Sequence, residues 1–381
     1  MRRARLHPKS ALETDAPHPR DPDEAALPRA EVGGVLRVDE LDDGLLDVWD
    51  ELLRSEPALD RAFFAPEYAR AFAGYVDGVR VAVLERAGAP VGFLPFRLRK
   101  GRIAGPIARR LDDFQGPVLP ARFGFDLAAS LPALGARAAS FDHLLERAPG
   151  PRADEAGRRT SWTVDLSGGF DAYLAEKRAA GANFVRDLPR KRRKLGRDAG
   201  EVRYVHDSRS DEQLELMRAW KSRQRRASGT KDPLEDGATW AALRALFREK
   251  STRCRGLLSV LEAGGAPVAL HFGLVTRTTL HVWFPTYDGH ERCSPGSVLL
   301  LDAMREATAR GAVRIDLGTG DDRYKRSFQN SAAHVVEHHA DSRRLAGAVA
   351  RAKNGVRVWA RTSPTGRFLK EQRRAVRRWV R

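Results

Sequence analysis

Four side chains in the last third of the sequence have the chemistry to move protons or hold an anion: His271, Asp316, Tyr324 and Lys325. An imidazole that titrates near neutrality can accept a proton from an attacking amine or hydroxyl. A phenol at Tyr324 can return a proton to a departing thiolate. Lys325 can pair with Asp316, or with a carboxylate or phosphate of a substrate. The same residues also read as a packed tyrosine and a surface ion pair, and a lone strand histidine is often a hydrogen-bonded core residue. SPGS at 294–297 adds a different capability. Ser294 is a favoured N-cap and Pro295 suits the first helical position, so the N–H groups of Gly296, Ser297 and Val298 are expected to be unpaired. With no side chain at Gly296 an anion can approach that backbone, as a pyrophosphate requires. Ser-Pro-Gly also opens helices that bind nothing.

The elements that must position these groups follow from periodicity. Residues 295–310 form a helix with Leu300, Met304 and Ala307 on one face, and Gly311 suits its left-handed end. Strands are expected at 257–263, 267–276, 279–286 and 312–318, which gives a β-β-β-α-β order with the helix as the crossover. Asp316 then lies at a strand end before Gly-Thr-Gly-Asp-Asp at 318–322, where open α/β sheets collect ligands. His281 and Asp288 lie on or just after the strand that precedes the helix.

The strand pair carrying His271 is written twice. Val83–Val91 and Val260–Val268 share seven of nine residues, and both turn on a glycine followed by Ala-Pro. A duplicated domain explains this repetition, and His271 then replaces Leu94 of the first copy. Upstream of the first copy a strand is expected at 35–39 and helices at 44–55 and 66–75; a further strand follows at 140–146. Helices at 168–178, 184–197, 210–228 and 235–250 introduce the second copy.

With 381 residues the chain suits two domains. Its apolar runs are too short to cross a bilayer and its N-terminus has no apolar signal core, so a cytoplasmic protein is expected. Two cysteines, Cys254 and Cys293, with no C-x-x-C motif, support neither a disulfide framework nor a structural zinc site. The net charge of +17 is concentrated at the end: residues 341–381 hold 13 Lys/Arg against Asp341 and Glu371. Such a tail can meet an anionic membrane, a nucleic acid or a glycan, or be merely a soluble terminus. FVRDLPRKRRKLGR at 184–197 is a second basic stretch, read either as a solvated helix face or as a groove edge for phosphates.

GAPVALHFGL at 265–274, YDGHERCSPGSVLL at 287–300 and IDLGTGDDRYKRSF at 315–328 resemble the GNAT superfamily. Within it the resemblance is to the CelD/BcsL-type acetyltransferases of cellulose and exopolysaccharide biosynthesis, similar in architecture to the Fem peptidyltransferases. It implies an α/β fold with mixed sheets: two tandem GNAT-like domains, each with the β-β-β-α-β core, and a helical tail. The expected boundaries are a disordered 1–31, domains at 32–160 and 161–340, and a basic tail at 341–381. The resemblance implies acyl transfer from acetyl-CoA or another acyl-CoA to a small-molecule or glycan acceptor. His271, Asp316, Tyr324 and Lys325 then become the site candidates, and Ser294, Gly296, Ser297 and Val298 the pyrophosphate cradle. No metal is expected. RCSPGS at 292–297 departs from the family's phosphate loop, with proline and serine at its glycine positions. Fem-type enzymes use aminoacyl-tRNA, a donor that the stretch 186–197 would also suit. A third reading is a non-catalytic adaptor whose basic tail, 343–381, docks on a glycan or on an anionic membrane, there at its inner face.

Overall fold

The computed structural model describes residues 27–146 and 157–341. The first stretch contains β1 (Arg29–Leu36), α1 (Asp43–Ser55), α2 (Pro66–Ala73), β2 (Val79–Arg86), β3 (Ala89–Arg99), β4 (Ile103–Gly105), β5 (Gly124–Phe125), α3 (Leu127–Ser130) and β6 (Ala138–Leu145). The second opens with β7 (Arg158–Asp165), α4 (Phe170–Ala179), α5 (Asn183–Ala199), β8 (Val202–Val205), α6 (Asp211–Ala227) and α7 (Gly237–Arg248). It continues with β9 (Arg255–Ala263), β10 (Ala266–Val275), β11 (Thr279–Tyr287), α8 (Pro295–Ala309), β12 (Arg314–Thr319), α9 (Arg323–Phe328) and β13 (Ser331–Asp341).

All thirteen strands belong to one mixed sheet, ordered β5-β1-β2-β3-β4-β6-β13-β7-β12-β11-β10-β9-β8. From β1 through β2, β3 and β4 to β6 the neighbours pair antiparallel three times and then parallel. From β8 through β9, β10 and β11 to β12 the same pattern recurs. The two written copies are therefore two folded copies. Their hairpins match in detail: Ala87-Gly88 and Gly264-Gly265 turn with positive φ at both central positions, the geometry that fits strand twist. Each return strand also bulges one residue after its proline, at Val91 and at Val268.

The centre of the sheet exchanges strands between the copies. β7 follows β6 in the chain yet pairs with β12, whereas β13 follows β12 and pairs with β6, and β7 and β13 pair with each other. One buried cluster joins α1 and α2 to α6 and α7 through Trp49, Phe64, Tyr68, Met217, Trp240 and Leu243. The opposite face of the second copy is covered by α4, α5 and α8, through residues such as Tyr173, Leu188, Leu195, Leu300 and Met304.

Two boundaries differ from expectation. β1 starts at Arg29, inside the segment expected to be disordered through 31, and ends before the expected 39. Its pairing with β2 shifts register between Val32 and Gly34, and this bulge breaks the period-2 pattern by which a strand is recognised. Residues 1–26 and the basic tail from 342 onward lie outside the described residues, as do the expectations made for them. Among the described residues no helix is long and apolar enough to cross a membrane.

Candidate active site

β11 and β12 pair in parallel only from Thr279–His281 to Arg314–Asp316; beyond this β12 bulges and the two strands separate. The opening is a slot of about 580 Å³. Trp283 to Tyr287 line it from β11, Leu317 and Thr319 from β12, and Ser294, Gly296 and Ser297 from the start of α8. Lys221 and Arg225 of α6 form another wall, and His271, Tyr324 and Lys325 complete it. A smaller hollow of about 320 Å³ between α2 and α7 shares no lining residue with the slot. Its most buried acid, Glu67, is engaged by Arg253 and Ser251.

The first copy supplies part of the wall. Leu111 and Asp113 line the slot, and Trp283 Nε1 donates to the Leu111 carbonyl at 3.1 Å. Gly318 makes room for Asp113: its φ of +74° suits glycine, and a Cβ there would stand 2.6 Å from Asp113 Oδ2. Asp113 lies 3.0 Å from His281 Nε2 with its side chain 21% exposed, so one face of the carboxylate meets the slot. Burial opposes its ionisation, but the His281 imidazole more than offsets that and holds it below the ordinary carboxylate range. Behind it Asp112 is fully buried, hydrogen-bonded by Tyr68 Oη and the Ala108 N–H. Burial pushes Asp112 up to about 7 despite those donors.

His271, Tyr324 and Lys325 all line the slot. Burial, then His281 and Lys221, pull the His271 ring down to about 3, so it is neutral at physiological pH and a weak base. The ring is thus a weaker proton acceptor than its ordinary titration would make it. Both ring nitrogens are buried without a hydrogen-bond partner among the described residues, as is Thr286 Oγ1. Gly273 leaves space for the ring, since a Cβ there would lie 2.7 Å from its Cε1. Burial raises the Tyr324 phenol, with Asp322 and Asp113 adding to the effect, so it keeps its proton. Lys325 Nζ donates to the Thr319 carbonyl at 2.7 Å and stands 3.6 Å from Asp322.

Asp316 is not in the slot lining. It is 1% exposed, and Arg61 Nη1 donates to its two oxygens at 2.8 and 2.7 Å. Arg61 also lies 3.9 Å above the Phe114 ring. A buried acid at a strand end looks catalytic until the guanidinium 255 residues away is known.

The start of α8 also differs. Ser294 is left-handed, with φ 49° and ψ 56°, and makes no side-chain cap; its Oγ instead accepts from Lys191 Nζ at 2.8 Å. Its carbonyl accepts from both Ser297 and Val298 N–H, at 3.0 and 3.1 Å. The expected cradle of three free amides thus reduces to Gly296, which is partly exposed at the slot, while Val298 is buried outside the lining.

Sequence reasoning missed Asp113, Lys221 and Arg225. Asp113 lies in the other copy and Lys221 on a helix read only for its length; the glycine at 318, just after the strand, is the one sequence signal of a close approach there. Among the described residues no group of three or more His, Cys, Asp or Glu could hold a metal ion.

Comparison with known proteins bears on this geometry. Residues 182–326 match the model of an acetyltransferase (GNAT) domain. The crystal structure of FemX is similar in fold, with a TM-score of 0.50 at 10% identity over 78% of this chain and 94% of that one. A tandem GNAT protein from the clavulanic acid biosynthesis pathway gives a TM-score of 0.46 at 13% identity, covering 81% of this chain and 98% of that one. The C-terminal DUF2156 domain of an Agrobacterium fabrum protein gives 0.49 at 13% identity, covering 82% and 95%. No protein of curated function matches the chain in sequence. The matched segment runs from α5 into α9 and so contains β11, β12 and all of the slot lining except Leu111 and Asp113. The chain thus carries a GNAT acetyltransferase domain at residues 182–326 and is an acyltransferase.

Proposed function

We propose that this acyltransferase, whose GNAT domain holds the slot between β11 and β12, moves an acyl group from acyl-CoA to an amine or hydroxyl on a sugar or envelope-glycan precursor. The single observation that carries the reading is the separation of the two parallel strands. It leaves one edge of β11 without a strand partner beyond His281, with the Pro285 and Tyr287 carbonyls taken by Lys221 and Gln224, beside the partnerless Thr286 Oγ1 and the Gly296 N–H. An extended amide-bearing chain finds backbone partners on such an edge, and a phosphate finds Gly296 and the nearby Lys191. The residues present thus fit a coenzyme A thioester, although with fewer free amides than a full phosphate loop.

The thioester supplies the activated acyl group. Asp113, ionised and facing the slot, accepts a hydrogen bond from the attacking amine or hydroxyl and takes its proton only as the new bond to the acyl carbon forms and makes that proton strongly acidic; His281 positions its carboxylate. Tyr324, held protonated, donates to the departing sulfur. His271 remains neutral and offers a hydrogen bond rather than a base. Acetyl is the proposed acyl group. The test is thermal: millimolar acetyl-CoA should raise the melting temperature by binding the native state. No rise with folded protein would reject the donor. In the same assay Asp113→Asn should keep the rise, while its turnover falls roughly 10²–10⁴-fold.

A second reading changes the donor to aminoacyl-tRNA. Arg186, Arg190, Arg193 and Arg197 are exposed on α5 at the i, i+4, i+7, i+11 spacing of one helix face. On the same helix Lys191 reaches Ser294 at the slot. Binding to tRNA that weakens with salt and disappears when Arg190 and Arg193 are neutralised would favour it; indifference to those changes would reject it.

A further inference from the structure

The slot has two unlike walls. The start of α8 stands on one face of the sheet, with α4 and α5, and α6 on the other, with α7. Lys191 and Gly296 belong to the α8 side. Lys221 and Arg225 belong to the α6 side, four residues apart on one helix and hence on one face.

Among the described residues neither of these two cations is in an ion pair. Lys221 Nζ donates to the Pro285 carbonyl at 2.7 Å, and among the described residues no carboxylate lies within ion-pair distance of it. Two of its three donors remain for a ligand. Arg225 Nη1 reaches only the Lys231 carbonyl, at 3.4 Å, and its Nε is buried with no partner. Of the other charges at the slot, Lys325 is engaged with Asp322 and the Thr319 carbonyl and Asp113 with His281, while Glu291, exposed in the lining just before α8, makes no ion pair with either cation. On the outer side of α6, Arg223 pairs with Asp288 at 2.7 Å. A half-buried amine and guanidinium with unfilled donors are unfavourable unless an anion completes them.

We propose that the α6 wall is an oxyanion subsite, in which Lys221 and Arg225 hold a carboxylate or phosphate group of the acyl acceptor. The proposal rests on the acyl-transfer reading and narrows it: the acceptor is anionic, and its charged group lies across the sheet from the donor's phosphates. Burial and the Arg225 charge already pull the Lys221 ammonium down to about 8, so a bound anion would raise it again.

The test is a melting titration of the full chain with sodium phosphate and, separately, sodium malonate, at ionic strength fixed with chloride, with and without saturating coenzyme A. Either anion should raise the melting temperature saturably, by roughly 1–3 °C near saturation. The rise should disappear in Lys221→Met and in Arg225→Met. Protection by phosphate alone assigns a phosphorylated acceptor, and protection by malonate alone a carboxylated one. A wild type that responds only as it does to chloride overturns the proposal, as do variants that respond like wild type. Should a variant fail to fold, acetic anhydride labelling of wild-type Lys221, read by peptide mass spectrometry, must be slowed by the protecting anion, and unaltered labelling overturns the subsite. Coenzyme A separates the two readings: if it fails to stabilise while the anion does, donor binding falls and the subsite stands.

Discussion

Replacing Arg61 by methionine should destabilise the protein severely while leaving the chemistry of each folded molecule nearly intact. The Arg61 and Asp316 side chains are 6% and 1% exposed, and the guanidinium approaches the carboxylate to 2.7 Å. Removing the cation strands an acid with almost no water to solvate it. Breaking one side of such a buried pair costs about 3–5 kcal/mol. At roughly 2–4 °C per kcal/mol this is a fall in melting temperature of roughly 6–20 °C, with the lower end expected for a chain that unfolds as one large unit. Asp316→Asn should show a loss of the same order, since it leaves the Arg61 charge buried. The double variant Arg61→Met/Asp316→Leu should recover most of it, because neither charge is then stranded. Urea unfolding of all four proteins measures the energies, and initial rates corrected for folded fraction measure the chemistry. The structural role predicts rates within about twofold of wild type. An Asp316→Asn variant that melts like wild type yet has lost turnover would refute the reasoning and return Asp316 to the reaction.

Three further outcomes follow from the slot and the wall behind it. The Asp112 carboxyl titrates near 7 when folded and near 3.9 when unfolded, so between these pH values the native state binds the extra proton. Its contribution is present at about pH 4 and lost as pH rises through 7; the loss is at most about 4 kcal/mol, and melting from pH 5 to 8 should show a shallower decline in Asp112→Asn than in wild type. Tyr324→Phe should reduce turnover by about 10²-fold or more, with the acetyl-CoA melting shift retained. Gly318→Ala places a Cβ 2.6 Å from Asp113 Oδ2 at a left-handed position, so steady-state kinetics should show a fall in turnover in the direction of Asp113→Asn.

The duplicated hairpin and the elements around it could be read from the sequence because they rest on local signals: positive-φ turns, a capped helix, alternation along single strands. The halves of the candidate site differ in legibility for the same reason. His271, Tyr324 and Lys325 follow from their places in one β-β-β-α-β unit, and the slot gathers all three. Asp113 enters from a loop in the other copy, so no spacing rule connects it with His281, 168 positions later. Asp316 was misplaced because a carboxylate at a strand end has the same signature whether it faces a ligand or a distant arginine. The free amides at 296–298 failed on backbone geometry, since the left-handed Ser294 turns its own carbonyl onto two of them.

The two copies repeat one strand order, yet only one can open a slot. In the first copy the strand equivalent to β11 is β4, three residues long, and the crossover helix is the four-residue α3. In the second, β11 runs nine residues and α8 fifteen, so β11 extends well past its pairing with β12 and α8 can present its start to the gap. Leu94, where the second copy has His271, lies in a packed core at 1% exposure. The first copy contributes instead through contacts: Arg61 on Asp316, Asp60 on the Thr278 N–H, the Leu111 carbonyl on Trp283, and Asp113 in the slot wall. Strand exchange makes that contribution hard to remove, because β13 needs β6 on one side and β7 on the other. Residues 157–341 expressed alone should therefore expose the shared core, a sheet edge and an unpaired Asp316, and aggregate. The full chain cut once between residues 146 and 157 should remain assembled on a sizing column and keep its acetyl-CoA melting shift. A soluble, coenzyme-binding fragment 157–341 would show that the first copy is dispensable, and with it the composite site.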